Sequence, residues 1–166
     1  MKYFVKYRLR ILMTILTLLF TAVIFANSAQ SGEISSEHSG RVVSILQGLF
    51  DLLGIKITVS SFVIRKLAHF VEYGILGVLL GLTLRTYTKN VLKSVFIPLF
   101  CGLAAAVTDE CIQLFSPGRA GMVQDVVLDF FGMVCGLAAS LVFIVIYDLR
   151  KSKSLNDSKN TGSMDC

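Results

Sequence analysis

Four long apolar stretches divide the chain, and each predicts a membrane-spanning helix. The stretches cover residues 11–26, residues 65–85, residues 95–107 with a polar extension to 115, and residues 126–147. A spanning helix needs about 17 to 25 residues, so the first stretch is near the lower limit. Because a helix satisfies its backbone hydrogen bonds internally, the pattern predicts an all-α integral membrane protein with four transmembrane helices.

The remaining segments predict how these helices are connected. Residues 27–40 are rich in Ser, Gly and Glu and predict a loop. Residues 41–55 place their apolar side chains on one half of the helical wheel, which is typical of an interfacial amphipathic helix or of a peripheral packing helix. We therefore expect an N-terminal segment over 1–10, one transmembrane domain over 11–147, and a disordered tail over 148–166 rich in Lys, Ser and Asn.

The start of the chain and Pro98 each lead to a further prediction. The basic start, the apolar run and the small residues near Ala26 also fit a secretory signal peptide, so residues 1–28 are either a spanning helix or a cleaved signal. Pro98 lies within the third apolar stretch, and the missing backbone donor of a proline predicts a kink about the middle of that helix.

Composition supports a membrane protein and argues against other classes. Hydrophobic residues make up 54% of the chain and charged residues only 16%, whereas a soluble domain carries about 25% charged residues. The net charge is +5, but the basic residues flank apolar stretches and form no patch interleaved with aromatic residues, so nucleic acid is not an expected partner. The four cysteines have no CxxC spacing, so we expect neither a disulfide framework nor cysteine metal ligands.

The distribution of basic residues predicts the orientation in the cell membrane. Eleven of the sixteen Lys and Arg residues lie in the N-terminus, the link at 85–93 and the C-terminal tail. The other five lie in segments that would face the opposite side. The positive-inside rule therefore predicts a multi-pass protein with both termini in the cytoplasm. The sequence does not indicate an oligomeric state.

Polar side chains gather at the predicted outer ends of three spanning helices. Each ionisable group within a membrane costs about 2.5 to 3.5 kcal/mol on insertion scales, so a group of them implies mutual partners or a watery cavity. The second helix carries its polar residues on one face of its first half, the third on a face at its end, and the fourth at its start. The candidate site residues are Lys66, His69, Glu72, Tyr73, Asp109, Glu110, Gln113, Arg119, Asp125 and Asp129.

Three interpretations of this group remain open. The first is an ion network that only holds the helices together, which would make the protein a scaffold or partner module. The second is a recognition site for an amphiphile of the outer leaflet, in which Arg65, Lys66 and Arg119 contact an anionic group. The third is catalysis on an envelope lipid, with His69 and Glu72 as an acid–base pair or as metal ligands with either neighbouring aspartate.

Three segments resemble a known family. The sequences KLAHFVEYGILG, TDECIQLFSPGR and DVVLDFFGMVCG are similar, in this order, to the motifs of the VanZ-like family, and the resemblance covers residues 11–147. Many relatives have an asparagine where this chain has Asp129. The positions that match the family pattern are Lys66, His69, Phe70, Glu72, Tyr73, Glu110, Gln113, Phe115, Arg119, Asp125, Asp129 and Gly132.

The resemblance implies a function without implying a mechanism. The founding member of the family is a small integral membrane protein linked to teicoplanin resistance, so a role in resistance to glycopeptide and lipoglycopeptide antibiotics is expected. The expected partners are the lipid bilayer and a lipid-linked cell-wall precursor or a lipoglycopeptide. We expect no cofactor and no metal, because the polar face offers no closed set of metal ligands.

Overall fold

The structure is a computed structural model that describes residues 2–53 and 60–161. The side chains of residues 2–4, 38, 46, 50–51 and 154–161 lie outside this description. The described part contains five α-helices and one short 3₁₀ turn between the third and fourth helices. The helices are α1 (Lys2–Ser28), α2 (Gly32–Leu52), α3 (Ser61–Tyr87), α4 (Phe96–Leu114) and α5 (Val123–Thr161), and the 3₁₀ turn is Val91–Ser94.

Four of these segments are long and apolar enough to cross a membrane. They are Val5–Ser28, Ser61–Tyr87, Val91–Leu114 and Val123–Lys153. Each corresponds to one of the four apolar stretches of the sequence. The prediction of an all-α membrane protein with four spanning helices is therefore confirmed.

The close packing of α3 against α5 organises the bundle. A Cβ atom added at Gly136 would lie 1.8 Å from the backbone oxygen of Gly74, and one added at Gly77 would lie 2.0 Å from that of Met133. Only glycines allow two helix backbones to approach so closely, as in other small-residue helix contacts in membranes. Tyr73 and Leu76 are fully buried beside this contact, which fixes the register of α3 relative to α5.

Helix α1 is an integral part of the bundle. Ile24 is buried in the main apolar core, and the hydroxyl groups of Thr17 and Thr83 hydrogen-bond across α1 and α3 at 2.8 Å. Near the start of α1, the Arg10 guanidinium donates to the backbone oxygen of Thr86 at 2.8 Å. These contacts join α1 to α3, while the choice between a retained spanning helix and a cleaved signal over residues 1–28 stays a prediction.

The C-terminal segment is helical where the sequence predicts disorder. Helix α5 continues through residue 148 to Thr161, and residues 162–166 lie outside the described part. The Arg85 guanidinium reaches Asp148 at 2.5 Å, so the first turn beyond the span is tied to α3. Leu, Arg and Lys residues, which favour helix, then continue the segment. The prediction of a disordered tail is wrong for residues 148–161.

The segment before α2 is also more regular than its composition suggests. Helix α1 extends to Ser28 and α2 begins at Gly32, so most of the predicted loop over 27–40 is helical. The Ser31 hydroxyl accepts the backbone N–H of Ile34, and the Gly32 N–H donates to the Pro117 oxygen at 2.9 Å. These contacts supply the start signal for α2, since serine side chains satisfy free helix donors.

Helix α2 contains the predicted amphipathic segment but starts before it. The structure describes this helix to Leu52 and the chain to residue 53, so residues 54 and 55 of that prediction lie outside the described part. Its side chains at Ile45, Leu49 and Leu52 are exposed. That the helix lies along a membrane surface stays a prediction.

The kink predicted at Pro98 does not follow from the structure. Helix α4 begins at Phe96, which places this proline in the first turn rather than the middle. Backbone N–H groups of the first turn have no partner within the helix, so a proline there removes no intrahelical hydrogen bond. The prediction is wrong because the 3₁₀ turn ahead of α4 shortens the α-helical part of the span.

Candidate functional site

The predicted polar residues converge at one end of the bundle. The end of α1, the first half of α3, the end of α4 and the start of α5 all meet there, together with the turn at 115–122 that connects α4 to α5. This arrangement follows from the antiparallel course of neighbouring spans. Side chains from four helices therefore share one polar site.

The centre of the site is His69 with two buried aspartates. His69 Nδ1 lies 3.8 Å from Asp109 Oδ2 and 3.8 Å from Asp129 Oδ2. The two carboxyl side chains are 0% and 1% exposed, whereas the imidazole is 16% exposed. Three helices thus contribute one titratable group each to a small volume at the core of the site.

Lys66 and Asp125 form an ion pair between α3 and α5. Lys66 Nζ lies 2.6 Å from Asp125 Oδ1, and the two side chains are 28% and 26% exposed. The same ammonium group lies 4.8 Å from the centre of the Phe62 ring, where a cation interacts favourably with the aromatic face. The pair closes one side of the site and neutralises both of its charges.

Glu110 fixes the start of α5. Its Oε1 accepts the backbone N–H of Met122, which lies at the end of the turn between α4 and α5. The turn itself is made possible by Gly118, whose φ of +73° lies in the left-handed region that glycine adopts readily. One carboxylate oxygen of Glu110 therefore has a structural partner.

Asn27, at the end of α1, supplies contacts that the site prediction omitted. Asn27 Nδ2 donates to Glu72 Oε1 at 3.1 Å, and its backbone oxygen accepts Arg119 Nη2 at 3.5 Å. The neighbouring Ser28 is fully buried. In the sequence, Asn27 opens a run of small polar residues after an apolar stretch, which is equally typical of a loop.

Gln113 connects the centre of the site to this part of α1. Its amide nitrogen donates to Asp109 Oδ2 at 3.1 Å and to Ser28 Oγ at 3.5 Å. The Ser116 hydroxyl donates to the Ser28 backbone oxygen at 3.1 Å. Helix α1 and the end of α4 are therefore joined by buried polar contacts.

Two arginines lie side by side at the mouth of the site. Burial lowers the pKa of Arg119, and the adjacent positive charge of Arg65 lowers it further. Nε and Nη1 of Arg119 are buried without a hydrogen-bond partner. Within the described residues, Arg65 forms no hydrogen bond or ion pair. Both guanidinium groups thus have free donors that face the same space.

Two adjoining cavities open beside these arginines. One has a volume of about 240 Å³ and extends toward Phe62, Met122 and Leu128. The other, of about 310 Å³, extends toward α1 and α2. Three residues border both cavities, namely Arg65, His69 and Arg119. The cavities therefore meet along a line of positive and titratable side chains.

The site also holds an unusual number of unpaired polar atoms. Buried side-chain atoms in native proteins nearly always have a hydrogen-bond partner, because each unpaired one costs about 1 to 3 kcal/mol. All such atoms without a partner among the described residues lie at this end of the bundle. They are His69 Nδ1, Tyr73 Oη, Asp109 Oδ1, Glu110 Oε2, Arg119 Nε and Nη1, and both carboxylate oxygens of Asp129.

The pairings differ in part from those the sequence suggested. Glu72 accepts a hydrogen bond from Asn27, whereas His69 Nδ1 lies 3.8 Å from an oxygen of each of the two aspartates. Tyr73 is 0% exposed and packs in the apolar core. The ten candidate residues nevertheless all lie in or beside the one polar site.

Comparison with known proteins identifies the family. A sequence model of the VanZ/LLP1 family matches residues 13–146. The chain belongs to the VanZ/LLP1 family. Searches of curated proteins and of solved structures found no match. The VanZ-like resemblance of the three motifs is thereby confirmed, and the protein is a VanZ-like multi-pass membrane protein of a family linked to glycopeptide resistance.

Proposed function

We propose that this VanZ-like protein recognises an anionic amphiphile of the outer leaflet and thereby alters susceptibility to lipoglycopeptide antibiotics such as teicoplanin. The ligand would be a lipid-linked cell-wall precursor or the acylated antibiotic itself, since each combines a polar headgroup with an apolar chain. The positive-inside orientation would put the polar site in the outer leaflet, where both ligands occur.

The observation that carries this proposal is the pair Arg65 and Arg119. Two neighbouring guanidinium groups repel each other, and Arg119 also has two buried nitrogens without an acceptor. An anionic group between them would relieve the repulsion and accept several charge-assisted hydrogen bonds. Arginine suits this role because its planar fork binds carboxylate or phosphate through two donors.

Lys66 contributes less to this binding than the sequence suggested. Its ammonium group is already paired with Asp125 at 2.6 Å, so its charge is not free for a ligand. The pair instead holds α3 and α5 together at the border of the smaller cavity. Recognition of an anion would therefore depend on the two arginines alone.

The surface around the cavities suits an apolar chain. Phe62 borders the smaller cavity and is 51% exposed, and Phe115 in the turn between α4 and α5 and Val123 at the start of α5 are 89% and 80% exposed. Exposed apolar side chains near a polar group are typical of a protein surface at the boundary between lipid and water. An acyl chain could lie against this surface while its headgroup enters between the arginines.

The test compares susceptibility to glycopeptides with and without an acyl chain. Cells that express the wild-type protein should resist the acylated compound, and Arg119→Gln or Arg65→Gln should remove most of this protection. Arg41→Gln is the matched control, because Arg41 is 71% exposed on α2 and pairs with Glu37 on its own helix. Each variant must be present in membranes at the wild-type level by immunoblot.

The main alternative is that the charges only hold the bundle together. The ion pair of Lys66 with Asp125 and the contact of Glu110 with the turn favour such a role for those residues. Under this alternative, Arg119→Gln would lower the amount of protein in the membrane, and the protection per molecule of protein would stay the same. Full protection by both arginine variants would contradict the recognition proposal.

A further inference from the structure

The His69, Asp109 and Asp129 side chains come together closely enough to share one metal ion. One nitrogen or oxygen from each lies within 4.8 Å of the others, and the imidazole nitrogen is 3.8 Å from an oxygen of each aspartate. Bonds from a transition metal to such ligands measure about 2.0 to 2.2 Å, so two ligand atoms on one ion are at most about 4.4 Å apart. Small side-chain rotations would complete the geometry.

The same three side chains carry ligand atoms without another partner. Both carboxylate oxygens of Asp129, one of Asp109 and Nδ1 of His69 are buried and make no hydrogen bond. No lysine or arginine in the described ranges forms an ion pair with either aspartate. Two buried carboxylates whose nearest basic group is a single imidazole are costly, and this cost favours a bound cation.

We infer that His69, Asp109 and Asp129 bind one divalent transition-metal ion. One imidazole and two carboxylates form a mixed nitrogen and oxygen ligand set, which suits Zn²⁺, Mn²⁺ or Fe²⁺ better than Ca²⁺ or Mg²⁺. Gln113 donates to Asp109 and orients that carboxylate, as outer-shell groups do at metal sites.

The position of the three residues gives the ion access to a ligand. His69 and Asp129 border the cavity of about 240 Å³, which is also lined by Arg65 and Arg119. Three protein ligands leave coordination positions open, and those positions would face this cavity. A metal ion and two guanidinium groups around one cavity would together favour an oxyanion such as a phosphate or a carboxylate.

Metal binding to the purified full chain tests the inference. The protein is prepared in detergent with an affinity tag free of histidine, stripped with a chelator and titrated with Zn²⁺ or Mn²⁺, without any amphiphile. We expect one ion per chain for the wild type and at least a tenfold weaker affinity for Asp129→Asn and for Asp109→Asn. Asp148→Asn is the matched control, since it makes the same change on α5 at the opposite end of the bundle.

The outcomes separate the possibilities. Absence of binding by the wild type, or equal affinity of all four proteins, would overturn the inference and indicate that protons neutralise the aspartates. If the two site variants fail to fold, X-ray absorption of the Zn²⁺-loaded wild type decides, because it should report a single imidazole, carboxylate oxygens and no sulfur. A second imidazole or a cysteine ligand would refute the assignment. Either result leaves the recognition proposal standing, since no amphiphile is present.

Discussion

The contact between α3 and α5 predicts that Gly136→Ala destabilises the protein. The added Cβ atom would lie 1.8 Å from the backbone oxygen of Gly74, whereas ordinary contact begins at 3.4 Å. The obstacle is backbone, so no rotamer change relieves it and the helices must separate by more than an ångström. Overpacking costs up to about 3 kcal/mol, and the better helix propensity of alanine returns about 1 kcal/mol. We expect a net loss of about 2 kcal/mol.

Thermal unfolding in detergent, followed by circular dichroism, measures this loss. On the scale of soluble proteins of this size, 2 kcal/mol lowers the melting temperature by roughly 4 to 8 °C. Gly48→Ala provides the control, because Gly48 is exposed on α2 and nothing lies within 4 Å of an added Cβ. That variant should be stabilised by about 0.5 to 1 kcal/mol. The reasoning is refuted if both variants shift the melting temperature in the same direction.

Two further predictions concern the charged contacts of the site. Lys66→Glu and Asp125→Lys should each destabilise the protein by about 1 to 3 kcal/mol, while the double variant should recover at least half of the loss, as thermal unfolding would report. An additive double variant would contradict the pairing. Glu110→Ala should cost about 1 to 3 kcal/mol because the Met122 N–H loses its acceptor, whereas Glu110→Gln keeps an acceptor and should be close to neutral in the same assay.

The general position of the site could be predicted because helical periodicity is strict. On α3, Lys66 and His69 lie one turn apart and share a face, and the same holds for Asp125 and Asp129 on α5. On the same side of α5, small residues recur at every fourth position as Gly132, Gly136 and Ser140, a spacing typical of close helix contacts in membranes. These patterns together placed the acids toward protein instead of lipid.

The pairings within the site could not be predicted, because they depend on distances smaller than one helical turn. Several acids could pair with Lys66 on the sequence alone. The close glycine contact between α3 and α5 sets the register that brings Asp125 to Lys66. Asn27 was missed for another reason. Its partner Glu72 lies 45 residues away in the sequence, so no local pattern indicates the contact. In addition, the end of α1 consists of small polar residues, which are also typical of a loop.

The local errors share one physical cause, which is that tertiary contacts override composition. The tail is helical beyond Asp148, whose carboxylate forms an ion pair with Arg85 on α3. Helix α2 starts at Gly32, where the backbone N–H finds an acceptor in the turn between α4 and α5. In both cases a segment rich in polar residues gains a partner from a distant part of the chain. Local propensity alone is a weak guide in such segments.

The two ends of the bundle differ in how many of their charged side chains have partners. At the end opposite the site, Arg85 pairs with Asp148, and Arg10 donates to a backbone oxygen and lies over the Tyr87 ring. A network that only held helices together would resemble the pair of Arg85 and Asp148, in which two partly exposed side chains of opposite charge are in contact. At the site, Arg119 and Asp129 instead keep buried polar atoms without partners, and the buried unpaired atoms of the described chain all lie there. Such groups lower stability, and proteins retain them where a ligand or an ion completes the contacts.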